Sequence, residues 1–169
     1  MAIIPSADAY FIVQSAFGDV LGLVKDESLV FLHLLEKWSI PEHLPELPKD
    51  QQQRYQESID SVFAGKTPEF WPDLKPTGTE FQQKVWQALL QIPKGEVWSY
   101  TELGSYIGAV KGAARAVGSA CGANPIALYI PCHRVLRQDG DLGGFAWGLP
   151  VKEHLLRVEA KSPNLELEL

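Results

Sequence analysis

Three short apolar runs open the chain, at residues 9–13, 20–24 and 29–35, separated by Ser15-Ala16-Phe17-Gly18-Asp19 and Lys25-Asp26-Glu27-Ser28. Short apolar stretches ended by polar or glycine-containing breaks are the pattern of strands joined by tight turns, so this portion predicts a small antiparallel sheet. Pro41, Pro45 and Pro48 then interrupt regular structure, and residues 50–63 carry a polar helical pattern that ends near Gly65. Pro68, Pro72 and Pro76 mark residues 66–78 as a connection. A capping-box pattern, Thr79-Glu80-Phe81-Gln82, opens the next helix, in which Phe81, Val85, Trp86, Leu89 and Leu90 share one apolar face until Pro93-Lys94-Gly95. Ser99-Tyr100-Thr101-Glu102 repeats the capping pattern and starts a short helix through Ile107, stopped by Gly108.

A brief turn at residues 109–112 leads into a second helix over residues 113–123, which makes the pair a helix-turn-helix candidate. The second helix is unusual in its small residues: Ala113, Ala114, Ala116, Gly118, Ser119, Ala120, Cys121, Gly122 and Ala123. A base-reading helix in a major groove carries long polar side chains, whereas this one has only Arg115. Small residues let a backbone approach something narrow, and they serve equally for tight helix packing. The single long side chain at the start of the helix favours the groove.

The chain has 169 residues, 46% of them hydrophobic, enough for one domain or two small ones in close contact. No apolar run approaches the roughly 20 residues of a membrane span, and the N-terminus has no signal-peptide pattern, so the expected address is cytoplasmic. Net charge is -6, which argues against a nucleic-acid partner at face value. It is unevenly placed: Lys94, Lys111, Arg115, Arg134 and Arg137 against Glu96 and Glu102 leave residues 94–137 at +3 and everything else at -9. One basic region on an acidic body suits contact with phosphates on a single face.

Candidate chemistry centres on Pro131-Cys132-His133-Arg134-Val135, which follows the apolar run of residues 126–130. A thiol beside an imidazole and a guanidinium reads as an activated nucleophile, since cationic or proton-accepting neighbours lower a thiol pKa. Adjacent residues on a strand point to opposite faces, so the chain must turn here for His133 to serve Cys132, and a water can bridge the two. The only other cysteine, Cys121, is not expected to form a disulfide, and the cysteine spacing does not fit a structural zinc site.

Between Gly78 and Ala160 the ordered motifs Thr79-Glu80-Phe81-Gln82-Gln83-Lys84-Val85-Trp86, Gly95-Glu96-Val97-Trp98-Ser99-Tyr100, Ala113-Ala114-Arg115-Ala116-Val117-Gly118, Pro131 to Val135 and Lys152-Glu153-His154-Leu155-Leu156 resemble the O6-alkylguanine-DNA alkyltransferases, the methylated-DNA–protein-cysteine methyltransferases. The resemblance implies a mixed α/β fold of the α+β kind. In it, residues 1–77 form a ribonuclease H-like sheet-and-helix domain and residues 78–169 a mainly helical alkyltransferase domain with the helix-turn-helix. It implies direct, irreversible transfer of an alkyl group, mainly methyl, from O6-alkylguanine, and by extension O4-alkylthymine, to Cys132. His133 would be the base, Glu159 its orienter, and Asn124 and Tyr100 would assist. It also implies minor-groove binding and nucleotide flipping. Arg115 would enter the vacated space, Tyr100 would push on the target phosphate, and Ala116, Gly118 and Ser119 would lie against DNA.

By the same resemblance Val135, Phe145, Ala146, Trp147 and Gly148 line the guanine pocket, with Trp147 expected to restrict bulky adducts. The implied partner is double-stranded DNA carrying O6-alkylguanine, bound by a monomer in the cytoplasm or nucleoid, with no cofactor and no metal. Zinc ligands found in the N-terminal part of some relatives have no counterpart, since no cysteine precedes Cys121. Two other readings stand beside this one. A DNA-damage sensor or regulator would use Cys132 as a signal site, and a cysteine hydrolase would need an oxyanion hole, from which Pro131 removes one nearby N–H.

Overall fold

The computed structural model describes residues 4–167. Strands β1 (Ala9–Val13), β2 (Val20–Lys25) and β3 (Ser28–Leu34) form an antiparallel meander in the order β1-β2-β3, as the apolar runs predict. Asp26 and Glu27 close the β2–β3 hairpin with φ 49° and 64°, the left-handed pair that matches strand twist, and Asp8 Oδ2 accepts from Asp26 N at 2.8 Å. Every residue of β3 is buried. Leu29, Leu32 and Leu34 join the main core while Val30 and Phe31 join a second cluster on the opposite face, which is why β3 reads as a continuous apolar run rather than an alternation.

Helix α1 (Lys49–Phe63) turns Tyr55, Ser58, Ile59 and Val62 inward, and Phe11 of β1 stacks on Tyr55 at 4.1 Å. Helix α2 (Glu80–Leu89) has both arms of the expected capping box, and its buried face is Val85, Trp86, Ala88 and Leu89. Leu90 departs from the sequence pattern: the helix has ended, and Leu90 is 43% exposed at its C-cap. Trp86 Nε1 donates to Ala120 O at 2.9 Å, fixing α2 to α4 (Ala114–Gly122). Between them lies α3 (Tyr100–Tyr106), opened by the Ser99/Glu102 capping box.

A short parallel pair, β4 (Trp98–Ser99) with β5 (Val135–Leu136), has no counterpart in the sequence reading because two-residue strands carry no periodicity. Residues 126–130 form a tight turn in which only Ile126 pairs, with Leu32, and Leu128 takes φ 78°. Helix α5 (Leu149–Leu167) follows. The main core runs without a break from Phe11 of β1 to Leu155 of α5. Among the described residues no helix is long and apolar enough to cross a membrane.

His33 on β3 is 4% exposed, and burial, followed by the charge of Lys37, lowers its pKa to about 4. Between pH 6.5 and about 4 the unfolded chain therefore takes up a proton that the folded chain refuses, so stability falls as pH drops through that window, by about 3 kcal/mol at most. Denaturant midpoints measured across it should show this loss, and His33→Phe should flatten the slope. An unchanged slope in that variant would mean that other groups set the acid sensitivity.

Candidate active site

Pro131 has φ -82° and ψ 63°, and Cys132 N donates back to Ile130 O at 2.8 Å, an inverse γ-turn that runs into a single 3-10 turn over Cys132–Arg134. This is the turn the Cys-His order requires. The thiol faces a cavity, while His133, 0% exposed, points back toward α5. Asn124, 1% exposed, ties the turn together: its Nδ2 donates to Ile130 O at 2.8 Å and to Cys132 Sγ at 3.2 Å, and its Oδ1 accepts from Ile126 N at 3.0 Å. An amide donor aimed at sulfur favours the thiolate over the thiol.

Behind the thiol, His133 Nε2 lies 2.7 Å from Glu159 Oε1. Arg134 grips the same carboxylate bidentately, Nε to Oε2 and Nη2 to Oε1, both at 3.0 Å, and its Nη1 donates to Ile92 O at 2.7 Å. Burial alone would raise the Glu159 pKa, but hydrogen bonds from His133 and Arg134 and their charges hold it at about 2. Burial lowers the pKa of His133 despite its carboxylate partner. The resting pair is therefore a carboxylate accepting from Nε2–H of a neutral imidazole, which leaves Nδ1 as the basic nitrogen. Nδ1 is buried and has no hydrogen-bond partner among the described residues.

Burial pushes the Cys132 pKa up, and the Asn124 hydrogen bond and the Lys152 charge only partly oppose it. The expectation of a thiol lowered by its neighbours is thus corrected: Cys132 rests protonated and must lose its proton as it attacks. Tyr100, raised to about 12 by burial and then by the two cysteines, keeps its own proton.

The cavity, about 560 Å³, is lined by Tyr100, Arg115, Gly118, Cys121, Cys132, Phe145 and Ala146 among others. Six of the residues expected at the site therefore meet there. Asn124, His133 and Glu159 stand behind the wall, and Ala116 and Ser119 are exposed on α4 without reaching the cavity. Three expected pocket residues do not line it. Val135 is buried in the β4–β5 pair, Gly148 makes the turn into α5 with φ 98°, and Trp147, only 3% exposed, packs its ring 5.9 Å from His33. A large apolar ring following Phe145 and Ala146 gains more by entering the core than by standing over an open cavity.

Cys121 and Lys152 stand out among the site residues that the sequence does not assign. Cys121 sits one turn after Gly118 on the same face of α4, a spacing that could have placed it in the wall. Lys152, 0% exposed, donates from Nζ to Val135 O at 2.8 Å, Gly144 O at 3.2 Å and Leu142 O. It thus clamps the cavity loop from α5, and burial lowers its pKa. Among the described residues no cluster of three or more His, Cys, Asp or Glu could hold a metal.

Residues 80–161 match the model of the 6-O-methylguanine DNA methyltransferase DNA-binding domain. A methylated-DNA–protein-cysteine methyltransferase of Methanosarcina acetivorans is 39% identical over 153 residues, covering 89% of this chain and 97% of that one. The chain belongs to the methylated-DNA–protein-cysteine methyltransferase family. A Mycobacterium tuberculosis methyltransferase of this family is 48% identical over 113 residues, 67% of this chain and 68% of that one. The crystal structure of Mycobacterium tuberculosis OGT in complex with DNA superposes with a TM-score of 0.80 at 40% identity, covering 90% of this chain and 93% of that one. The mixed architecture, a small antiparallel sheet with five α-helices among the described residues, matches the family's solved structures.

Proposed function

We propose that the protein repairs DNA by moving the alkyl group, mainly methyl, from O6-alkylguanine to Cys132, once per molecule. The observation that carries this is a thiol opening into a cavity large enough to admit a nucleobase, with the buried Asn124, His133 and Glu159 and the half-buried Arg134 behind it. In the reaction the thiol proton passes through a water to His133 Nδ1. Sulfur then attacks the alkyl carbon, the C–S bond forms as the C–O bond breaks, and the leaving guanine takes a proton from the Tyr100 hydroxyl, which the imidazolium of His133 afterwards restores through water. Glu159 stabilises the imidazolium that results. A thioether does not hydrolyse under ordinary conditions, so the acceptor is consumed, and no cofactor or metal is needed.

Access to a base in a duplex requires flipping, at a cost of a few kcal/mol. α3, the turn after it and α4 would act as the helix-turn-helix, with Ala116, Gly118 and Ser119 against the minor groove and Arg115 filling the gap. The small α4 surface supports this. O4-alkylthymine presents the same alkyl–oxygen bond and is included. Residues 1–77, with their meander and α1, form the ribonuclease H-like part, residues 78–169 the transferase, and a monomer acts on double-stranded DNA in the cytoplasm or nucleoid.

Incubation with a duplex containing O6-methylguanine should add one methyl, mapped to Cys132 by intact and peptide mass. Tight DNA binding with no adduct would instead make the protein a sensor. Arg115→Ala should slow transfer from the duplex at least tenfold more than transfer from the free modified base, since only the duplex pays for extrusion. Equal slowing of both substrates would remove the finger role.

A further inference from the structure

We infer that the N-terminal part of the chain latches the wall of the lesion cavity from behind, with Trp147, His33 and Lys37 as positioning residues that set how tightly the cavity captures its substrate. The inference rests on the repair reading above. Between β5 and α5 the chain supplies Gly143, Gly144, Phe145 and Ala146 to the cavity wall. One end of this loop is tied down within the C-terminal half, where Lys152 Nζ donates to Leu142 O and Gly144 O. The other end is tied down by residues more than a hundred positions away. Lys37 Nζ donates to Ala146 O at 3.1 Å, and the Trp147 ring packs 5.9 Å from His33.

His33 is itself held in an aromatic seat. Its ring lies 5.8 Å from Phe31 and 5.3 Å from Trp38, and Trp38 meets Phe31 edge-on at 5.0 Å. The seat is built entirely from β3 and the short 3-10 segment that follows it, Leu35–Lys37, with Trp38 as its C-cap. Consecutive residues of the loop thus face opposite ways: Phe145 and Ala146 meet the cavity, and Trp147 meets the N-terminal sheet. Phe145 also stands edge-on to His133 at 6.3 Å, so the latched stretch touches the base. Gly148, with φ 98°, follows immediately and lets the chain reverse into α5. A wall ordered before the substrate arrives spares the ordering cost on binding, so the latch should act on capture more than on the chemical step.

The test is single-turnover methyl transfer to Cys132 from an O6-methylguanine duplex, followed as a function of duplex concentration, together with hydrogen exchange of the free protein. Lys37→Met should raise the half-saturating concentration about 2- to 10-fold, the range that one hydrogen bond accounts for, with most of the effect there rather than in the limiting rate. Lys37→Arg, which keeps a donor, should restore it. Trp147→Ala should raise it further and speed amide exchange at residues 143–147 beyond what its melting temperature explains, with Trp147→Phe in between.

Wild-type saturation and wild-type loop exchange in both Lys37→Met and Trp147→Ala would overturn the latch. So would a loss of stability with no change specific to the loop. Failure of the wild-type protein to take a methyl at Cys132 would count against the repair reading, and the exchange measurement on free protein would still decide the latch.

Discussion

Cys132→Ala protein is expected to take up no methyl from an O6-methylguanine duplex, even on long incubation, while binding that duplex with an affinity within about threefold of wild type. The thiol supplies the bond that forms, and at 7% exposure it adds little contact area. Its replacement by Ala should cost no more than about 1–2 kcal/mol of stability, as a small truncation in a site already bordering a cavity. The informative competitor is Cys121, which lines the same cavity. Burial raises its pKa first and the neighbouring Cys132 second, and the substitution removes only the second cause. No basic nitrogen hydrogen-bonds Cys121 among the described residues. Intact mass followed by peptide mapping checks the outcome. Methyl found on Cys121 of the variant at an appreciable rate would move the nucleophile's privilege from Cys132 to the cavity itself.

Elements that carry their own local signal were legible in the sequence. The two capping boxes at Thr79 and Ser99 stand where their side chains put them, because a cap is decided within four residues. The three strands followed from apolar runs between turns. What failed depended on long-range packing. The resemblance puts Trp147 in the pocket, but the ring packs into the core beside His33, more than a hundred residues away, which no local pattern reveals. Leu90 extended an apolar stripe one residue past the end of its helix. Lys152 stands in one of the motifs, yet its buried role depends on carbonyls of a loop whose path the sequence does not dictate. The direction of the Cys132 pKa is likewise beyond the sequence, because neighbours along the chain suggest charge and only the fold supplies burial.

Glu159→Gln should lower the limiting rate of transfer by about 10²–10⁴-fold, the range associated with losing a working base and its orienter. In the native array the carboxylate accepts from His133 Nε2–H at 2.7 Å and from Arg134 twice, which fixes Nδ1 as the acceptor of the thiol proton. A glutamine has the shape but not the charge, so the imidazolium formed on proton transfer loses its counter-charge. If the amide turns its N–H₂ toward Nε2, the proton must move to Nδ1 and the base is blocked. Arg134 would lose one of its two hydrogen bonds to residue 159, keeping the one to the amide oxygen and the one to Ile92 O.

The same substitution has a signature in stability. With a pKa of about 2 in the folded state against an ordinary 4.5, Glu159 contributes about 3 kcal/mol above pH 4.5, and that contribution is lost as pH falls toward 2. Glu159→Gln should therefore be less stable at neutral pH and show a shallower loss across that acid window, which lies below the one set by His33. Single-turnover rates and denaturant midpoints across the two windows separate the effects. A variant that transfers methyl within threefold of the wild-type rate would mean that His133 needs no orienter and that the Glu159–Arg134 pair serves only the packing of α5.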